Sequence, residues 1–198
     1  EEMQKIACEM NLSETAFVKK LENDCFELRF FTPKCEVPLC GHATIATFYA
    51  LSKKGYIRHE GRNKVQIMQK TKAGLLPVEL YFENDEISKV LMHQGSPETF
   101  GQIEEIEEIS KILGICKEEI GLNGFDLRPE IISTGIKDII VPVKDEETLK
   151  TLEIDFEKMD LYCISKGSMG MHVFTLDNLS DSSVHCRNFA PSLGINEE

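Results

Sequence analysis

Apolar and polar positions along the chain follow two different periods, and these divide it into short elements. Residues 1–10, "EEMQKIACEM", have helical spacing, while "ETAFVKK" (14–20) and "CFELRFF" (25–31) partly alternate, as half-buried strands do. Helical spacing returns from Ala43 to Lys53 and stops near Gly55. Three further strands are predicted at "KVQIMQK" (64–70), "GLLPVELYF" (74–82) and "EISKVLMHQ" (86–94), joined by short polar turns. In "GQIEEIEEISKILGI" (101–115), Ile103, Ile106, Ile109, Ile112 and Leu113 fall on one helical stripe. Its glutamates then form a solvated face, the early ones favoured by the helix dipole. Beyond it the pattern predicts strands at "EIIST" (130–134) and "DIIVPV" (138–143), and helical segments around 145–152 and 155–160. Two last strands follow at "MGMHVFTL" (169–176) and "SVHCRNF" (183–189). Strands with a few interspersed helices make this an α+β or mixed α/β chain. It has no Gly-rich phosphate loop and no dinucleotide fingerprint.

Composition narrows the function classes. A length of 198 residues fits one large domain or two small ones. A net charge of −12 argues against nucleic acid, whose binding needs clustered Lys and Arg. No apolar run approaches the roughly 20 residues of a membrane helix, so no membrane partner is expected. There is no signal peptide, and the chain opens inside a helical pattern without Met, so N-terminal sequence is expected to be missing. Seven scattered cysteines, an odd number with no C-x-x-C pair, favour a reducing, cytoplasmic setting over a disulfide scaffold. "CEVPLCGH" offers a zinc half-site. No second ligand pair of matching spacing exists, and a structural site needs four ligands, so no metal is expected.

An internal repeat carries the first functional lead. Residues 29–33 read Arg-Phe-Phe-Thr-Pro and residues 187–191 read Arg-Asn-Phe-Ala-Pro, each after a comparable strand. Cys40 lies seven residues past Pro33, and Glu198 seven past Pro191. Two halves of one architecture are therefore expected, dividing near residues 92–101, where "HQGSPETFG" is rich in turn formers. With each half presenting its loop to a shared cleft, Cys40 would face Glu198. In the first half, Cys40-Gly41-His42 stands where a helix usually has a Ser, Thr, Asp or Asn cap. The free N–H groups of that helix start would then hold an anionic ligand group, with no side chain on Gly41 to block it.

"NLSETAFV", "RFFTPKCEVPLCGHAT", "STGIKDIIVPV" and "RNFAPSLGINEE" resemble the phenazine-biosynthesis isomerase-like (PhzF-like) family of the diaminopimelate epimerase fold. Proline racemases are its more distant relatives. The resemblance implies two pseudo-symmetric domains, each a curled, mostly antiparallel sheet around a central helix, with the active site between them. The domains would be 1–95 and 96–198. The family's opening strand with its Gly-Asn-Pro motif and its Thr-Gly-Ser-Ala loop are absent, so the start of the first and the end of the second are expected to be missing. By the same resemblance Glu14, in the Asn-Leu-Ser-Glu segment, is the general acid/base. Ser13, Cys40, Gly41, His42 and Glu198 are substrate-binding positions. A homodimer is suggested by the family and is compatible with an acidic chain.

The chemistry implied is an isomerase that shifts a proton on a small carboxylated metabolite with no metal, nucleotide or organic cofactor. Such a shift needs a base and donors for the developing negative charge. On the residues alone, the plainer reading of Glu14 is a solvated strand-edge residue, and that of His42 a hydrogen-bonded helix-start residue. The resemblance reverses the first. Two alternatives stay open: an amino-acid epimerase or racemase acting through Cys40, and a small-molecule binding protein without turnover. A two-thiol racemase is disfavoured, because the position matching Cys40 in the second half is Glu198.

Overall fold

In the computed structural model, which describes residues 1–22, 24–176 and 184–198, the chain divides into units Glu1–Gly95 and Ser96–Glu198. Unit 1 runs α1 (Glu2–Met10), β1 (Thr15–Lys20), β2 (Cys25–Phe31), β3 (Glu36–Val37), α2 (Gly41–Lys53), β4 (Lys64–Thr71), β5 (Gly74–Glu83) and β6 (Glu86–Met92). The sheet order is β1-β2-β4-β5-β6, with β3 also on β2, and only the β2–β4 pair is parallel. Helix α2 packs against β6 and β1, the two ends of that order, so the sheet curls around it. Period-2 alternation explains which face it covers. Phe26, Leu28 and Phe30 on β2, Val65 and Ile67 on β4, and Val78, Leu80 and Phe82 on β5 are all buried. Phe48 of α2 meets Phe26 edge-on, with centroids 5.7 Å apart. Burial of each such side chain contributes about 1.5–3 kcal/mol.

Unit 2 runs β7 (Glu98–Gln102), α3 (Ile106–Leu113), β8 (Glu130–Ser133), β9 (Lys137–Pro142), α4 (Glu146–Lys150), α5 (Phe156–Lys166), β10 (Gly170–Thr175) and β11 (His185–Phe189). Its sheet order is β11-β10-β9-β8-β7, and only β9–β10 is parallel. A parallel pair needs a long crossover, and α4 with α5 provides it. One apolar cluster joins Ile109, Ile112 and Leu113 of α3 and Met159 and Cys163 of α5 to Ile139, Val141, Met171, Val173 and Phe189 of the sheet. Asp145 and Asp155 cap the crossover helices, accepting from the backbone N–H groups of Thr148 (2.8 Å) and Lys158 (3.1 Å).

The elements differ from the predicted ones at three places. The helix expected over 101–115 is a strand followed by a shorter helix: β7 pairs antiparallel with β8, and Ile103 is buried outside α3. The segment expected to be helical over 155–160 continues as α5 to Lys166, where Gly167 in the left-handed region ends it. The two-residue strand β3 was not predicted. Ser183, first residue of the last predicted strand, lies outside the described residues.

The Arg-x-Phe-x-Pro repeat occupies matching places in the two units. Arg29 pairs with Phe17 across β1–β2 and Arg187 with Val173 across β10–β11. Arg29 makes a two-pronged bond to Glu36 (2.7 and 2.9 Å), and Arg187 makes one to Glu197 with the same distances. Each guanidinium lies 5.1 Å from the following Phe ring, Phe31 or Phe189. Val37 pairs with Phe30, and the Glu198 N–H donates to the carbonyl of Asn188, the residue matching Phe30. Glu197 is thus the counterpart of Glu36, and Glu198 that of Val37. The expected equivalence of Glu198 with Cys40 is corrected. The 3-10 turn Pro191–Leu193 lengthens the second loop, so equal counting from the two prolines misaligns the residues beyond them.

Candidate active site

Two chain segments of unit 1 build the site. The first is the exit of α1. Asn11 takes the left-handed conformation (φ 49°) that ends the helix, its N–H donating to Ala7 O, a role that Asn tolerates better than most residues. Leu12 and Ser13 turn the chain, and Glu14 precedes the first residue of β1. Gln4 of α1 donates from Nε2 to Thr32 O (2.8 Å) and Pro33 O (3.1 Å), tying this helix to the loop after β2. Pairing of Thr15 with Phe31 fixes the register of Glu14 against that same loop.

The second segment is the start of α2. Cys40 is the extended N-cap residue, with no side-chain cap bond, and no acidic residue lies in the first turn. Thr44 holds the turn from inside: its N–H (3.1 Å) and Oγ1 (2.7 Å) both donate to Cys40 O. Thr44 Oγ1 also lies 3.2 Å from Oε1 of Gln69, a fully buried residue of β4. Apart from its chain neighbours and its own helix backbone, a Cβ built on Gly41 would meet nothing within 4 Å, so among the described residues no other segment closes over this position.

The two segments bring three side chains together. Glu14 Oε2 lies 3.2 Å from His42 Nε2, and Cys40 Sγ lies 3.6 Å from Nδ1 and 3.8 Å from Nε2 of the same ring. One ligand atom from each of the three falls within 4.8 Å of the others. The Glu14 side chain is 7% exposed and that of His42 56%. The cluster therefore has a shielded carboxylate and thiol behind an accessible imidazole. With Nε2–H donating to Glu14, Nδ1 is left as an acceptor, and Cys40 Sγ, nearly equidistant from the two ring nitrogens, lies over the face of the ring. Helix N–H groups carrying the positive end of a dipole complete an arrangement suited to holding a carboxylate while a neighbouring base takes a proton.

Of the residues singled out in the sequence, Glu14, Cys40, Gly41 and His42 stand together here. Ser13 is exposed on the turn before Glu14. Glu198 belongs to unit 2, beside β11. Thr44 and Gln69, which brace the helix start, were not singled out. A signal existed for Gln69, since it extends the inward-facing row Val65 and Ile67 with a polar residue.

A family model described as phenazine biosynthesis-like protein (PhzC-PhzF) matches residues 1–198. An uncharacterized isomerase of Clostridium acetobutylicum is 37% identical over 203 residues, covering 100% of this chain and 64% of the relative. One from Bacillus subtilis is 36% identical, covering 96% and 62%. The chain thus spans somewhat under two thirds of these relatives. Among solved structures, a phenazine biosynthesis protein of the PhzF family from Bacillus anthracis has a TM-score of 0.82 at 28% identity, covering 100% of this chain and 64% of that one. A hydroxyproline epimerase from Agrobacterium vitis, 14% identical with a TM-score of 0.60 over 93% of this chain and 54% of its own, shares the fold. With the family model matching from the first residue to the last, the chain belongs to the phenazine biosynthesis-like family.

Proposed function

We propose that the protein is a cofactor-independent isomerase that moves a proton on a small carboxylated metabolite, with Glu14 as general acid/base. The observation that carries this reading is the placement of a shielded carboxylate 3.2 Å from His42, at a helix start whose N-cap residue Cys40 makes no side-chain cap bond. The substrate carboxylate binds the first-turn N–H groups of α2 over Gly41. Glu14 removes a proton from a carbon next to that carboxyl, and the developing negative charge is met by the same donors. His42 holds the Glu14 carboxylate in place, and Glu14 returns the proton to another carbon. Relatives named isomerases support the reaction class.

A second reading, an epimerase acting through Cys40, is favoured by the contact of its thiol with His42. Glu198 matches Val37 rather than Cys40, so it no longer counts against a racemase. Two variants separate the readings. Glu14→Gln is expected to lower kcat by roughly 10²–10⁴-fold, the usual contribution of a positioned acid/base, with substrate affinity little changed. Cys40→Ser is expected to retain turnover. Full activity in Glu14→Gln with loss in Cys40→Ser would replace the first reading by the second. The roles of Ser13 and Glu198 as substrate contacts are part of the proposal, tested by a rise in KM on substitution with Ala and Gln respectively.

A further inference from the structure

We propose that Glu14, Cys40 and His42 form an open three-ligand site for a borderline-soft divalent cation, with Zn²⁺ as the expected occupant. The inference stands on the geometry of the cluster and does not depend on the isomerase reading. Catalytic-type zinc sites use three protein ligands drawn from Cys, His and carboxylates, leaving a fourth position open. Zinc–ligand bonds of about 2.0–2.3 Å at tetrahedral angles place the ligand atoms about 3.3 Å (N to O) and about 3.5 Å (N to S) apart. Here His42 Nε2 lies 3.2 Å from Glu14 Oε2 and 3.8 Å from Cys40 Sγ. All three ligand atoms lie within 4.8 Å of one another. Sγ is nearly equidistant from Nδ1 (3.6 Å) and Nε2 (3.8 Å) and so lies over the ring face. Reorientation of the exposed His42 ring, with its proton on Nδ1, is needed to turn the Nε2 lone pair toward an ion held by Cys40 and Glu14.

The donor set selects the metal. One thiolate, one imidazole and one carboxylate suit Zn²⁺, whereas Mg²⁺ and Ca²⁺ prefer oxygen alone. Entry and the fourth position are provided on the side of His42, which is more than half exposed, next to Gly41, where no segment other than its own helix and chain neighbours lies within 4 Å of a built Cβ. The half-site visible in "CEVPLCGH" is thus completed by a carboxylate from a distant segment rather than by a second Cys/His pair. Binding requires loss of the Cys40 thiol proton, so affinity rises with pH. If Glu14 is the acid/base, a bound cation occupies that carboxylate and stops proton transfer, so the metal acts as an inhibitor.

The test is spectroscopic. The reduced protein, freed of metal by chelation, is titrated with Co²⁺ as a coloured substitute for Zn²⁺. One equivalent should produce thiolate-to-cobalt charge-transfer absorption together with four-coordinate d–d bands, and added Zn²⁺ should bleach both. Cys40→Ser should abolish the charge-transfer band although six other cysteines remain. His42→Ala, at an exposed side chain, should weaken binding by roughly tenfold or more, the loss seen even for residues that only orient ligands. Absence of the band in the parent protein, or its survival in Cys40→Ser, would overturn the assignment. Loss of isomerase activity in Glu14→Gln has no bearing on these spectra, so the two proposals fail separately.

Discussion

Asp138 and Glu36 are carboxyls pushed in opposite directions by their surroundings. Burial raises the Asp138 pKa above the usual carboxylate range, and the charge of His172 offsets part of the rise. The folded state thus holds this proton more tightly than the unfolded chain does. Its contribution to stability is complete at low pH and erodes as pH climbs from the ordinary carboxylate range through the raised value. For Glu36, the bond from Arg29 is the largest influence, with Lys72 adding to it, and its pKa falls to about 2. That stabilisation is present above the ordinary range and is lost as pH falls toward the lowered value. Thermal unfolding across acid and neutral pH checks both signs. Asp138→Asn should raise Tm by a few degrees at neutral pH and gain nothing near about pH 3. Glu36→Gln should lower Tm at neutral pH and converge with the parent near about pH 2. A lower Tm for Asp138→Asn at neutral pH would contradict the burial argument.

At the scale of elements, β1 and β10 are matching strands whose starts differ in consequence. Thr15 pairs with Phe31 and Met171 with Phe189, so the residue before each, Glu14 or Gly170, occupies the same place in its unit. A Cβ on Gly170 would come within 2.2 Å of Phe189 O, so the second unit cannot carry an acid/base there without moving backbone. Gly170→Ala should therefore destabilise by about 1–3 kcal/mol through overpacking, read as a lower denaturation midpoint at unchanged slope. A neutral effect would show that the strand start yields easily. The same elements show what periodicity could and could not reveal. Strands β2, β4 and β5 bury one face, so their alternation was legible. Strand β7 is exposed at all five positions and has no pattern to betray it. The odd helix start at Cys40-Gly41-His42 was visible as a missing cap. Its meeting with Glu14 was not legible from spacing, because the β1–β2 register that creates it is a long-range contact. The one mistaken equivalence, Glu198 with Cys40, came from counting residues through a loop that the 3-10 turn Pro191–Leu193 lengthens.

At the scale of the whole molecule, two units repeat a strand pair and its arginine–glutamate clasp, yet only unit 1 carries the Glu14–Cys40–His42 cluster among the described residues. Under the proposed function, one carboxylate both takes and returns the proton. The chain's net charge of −12 sharpens the role of α2. On the proposed reading, a carboxylated ligand is attracted locally by helix N–H groups against the overall field. The most direct measurement is the incubation of the protein with small carboxylated metabolites in deuterated water, following both isomer formation and entry of solvent deuterium into a C–H position. The account predicts isomerisation with deuterium incorporation in the parent and in Cys40→Ser, and a loss of roughly 10²-fold or more in Glu14→Gln. Isomerisation and labelling that persist undiminished in Glu14→Gln would contradict it.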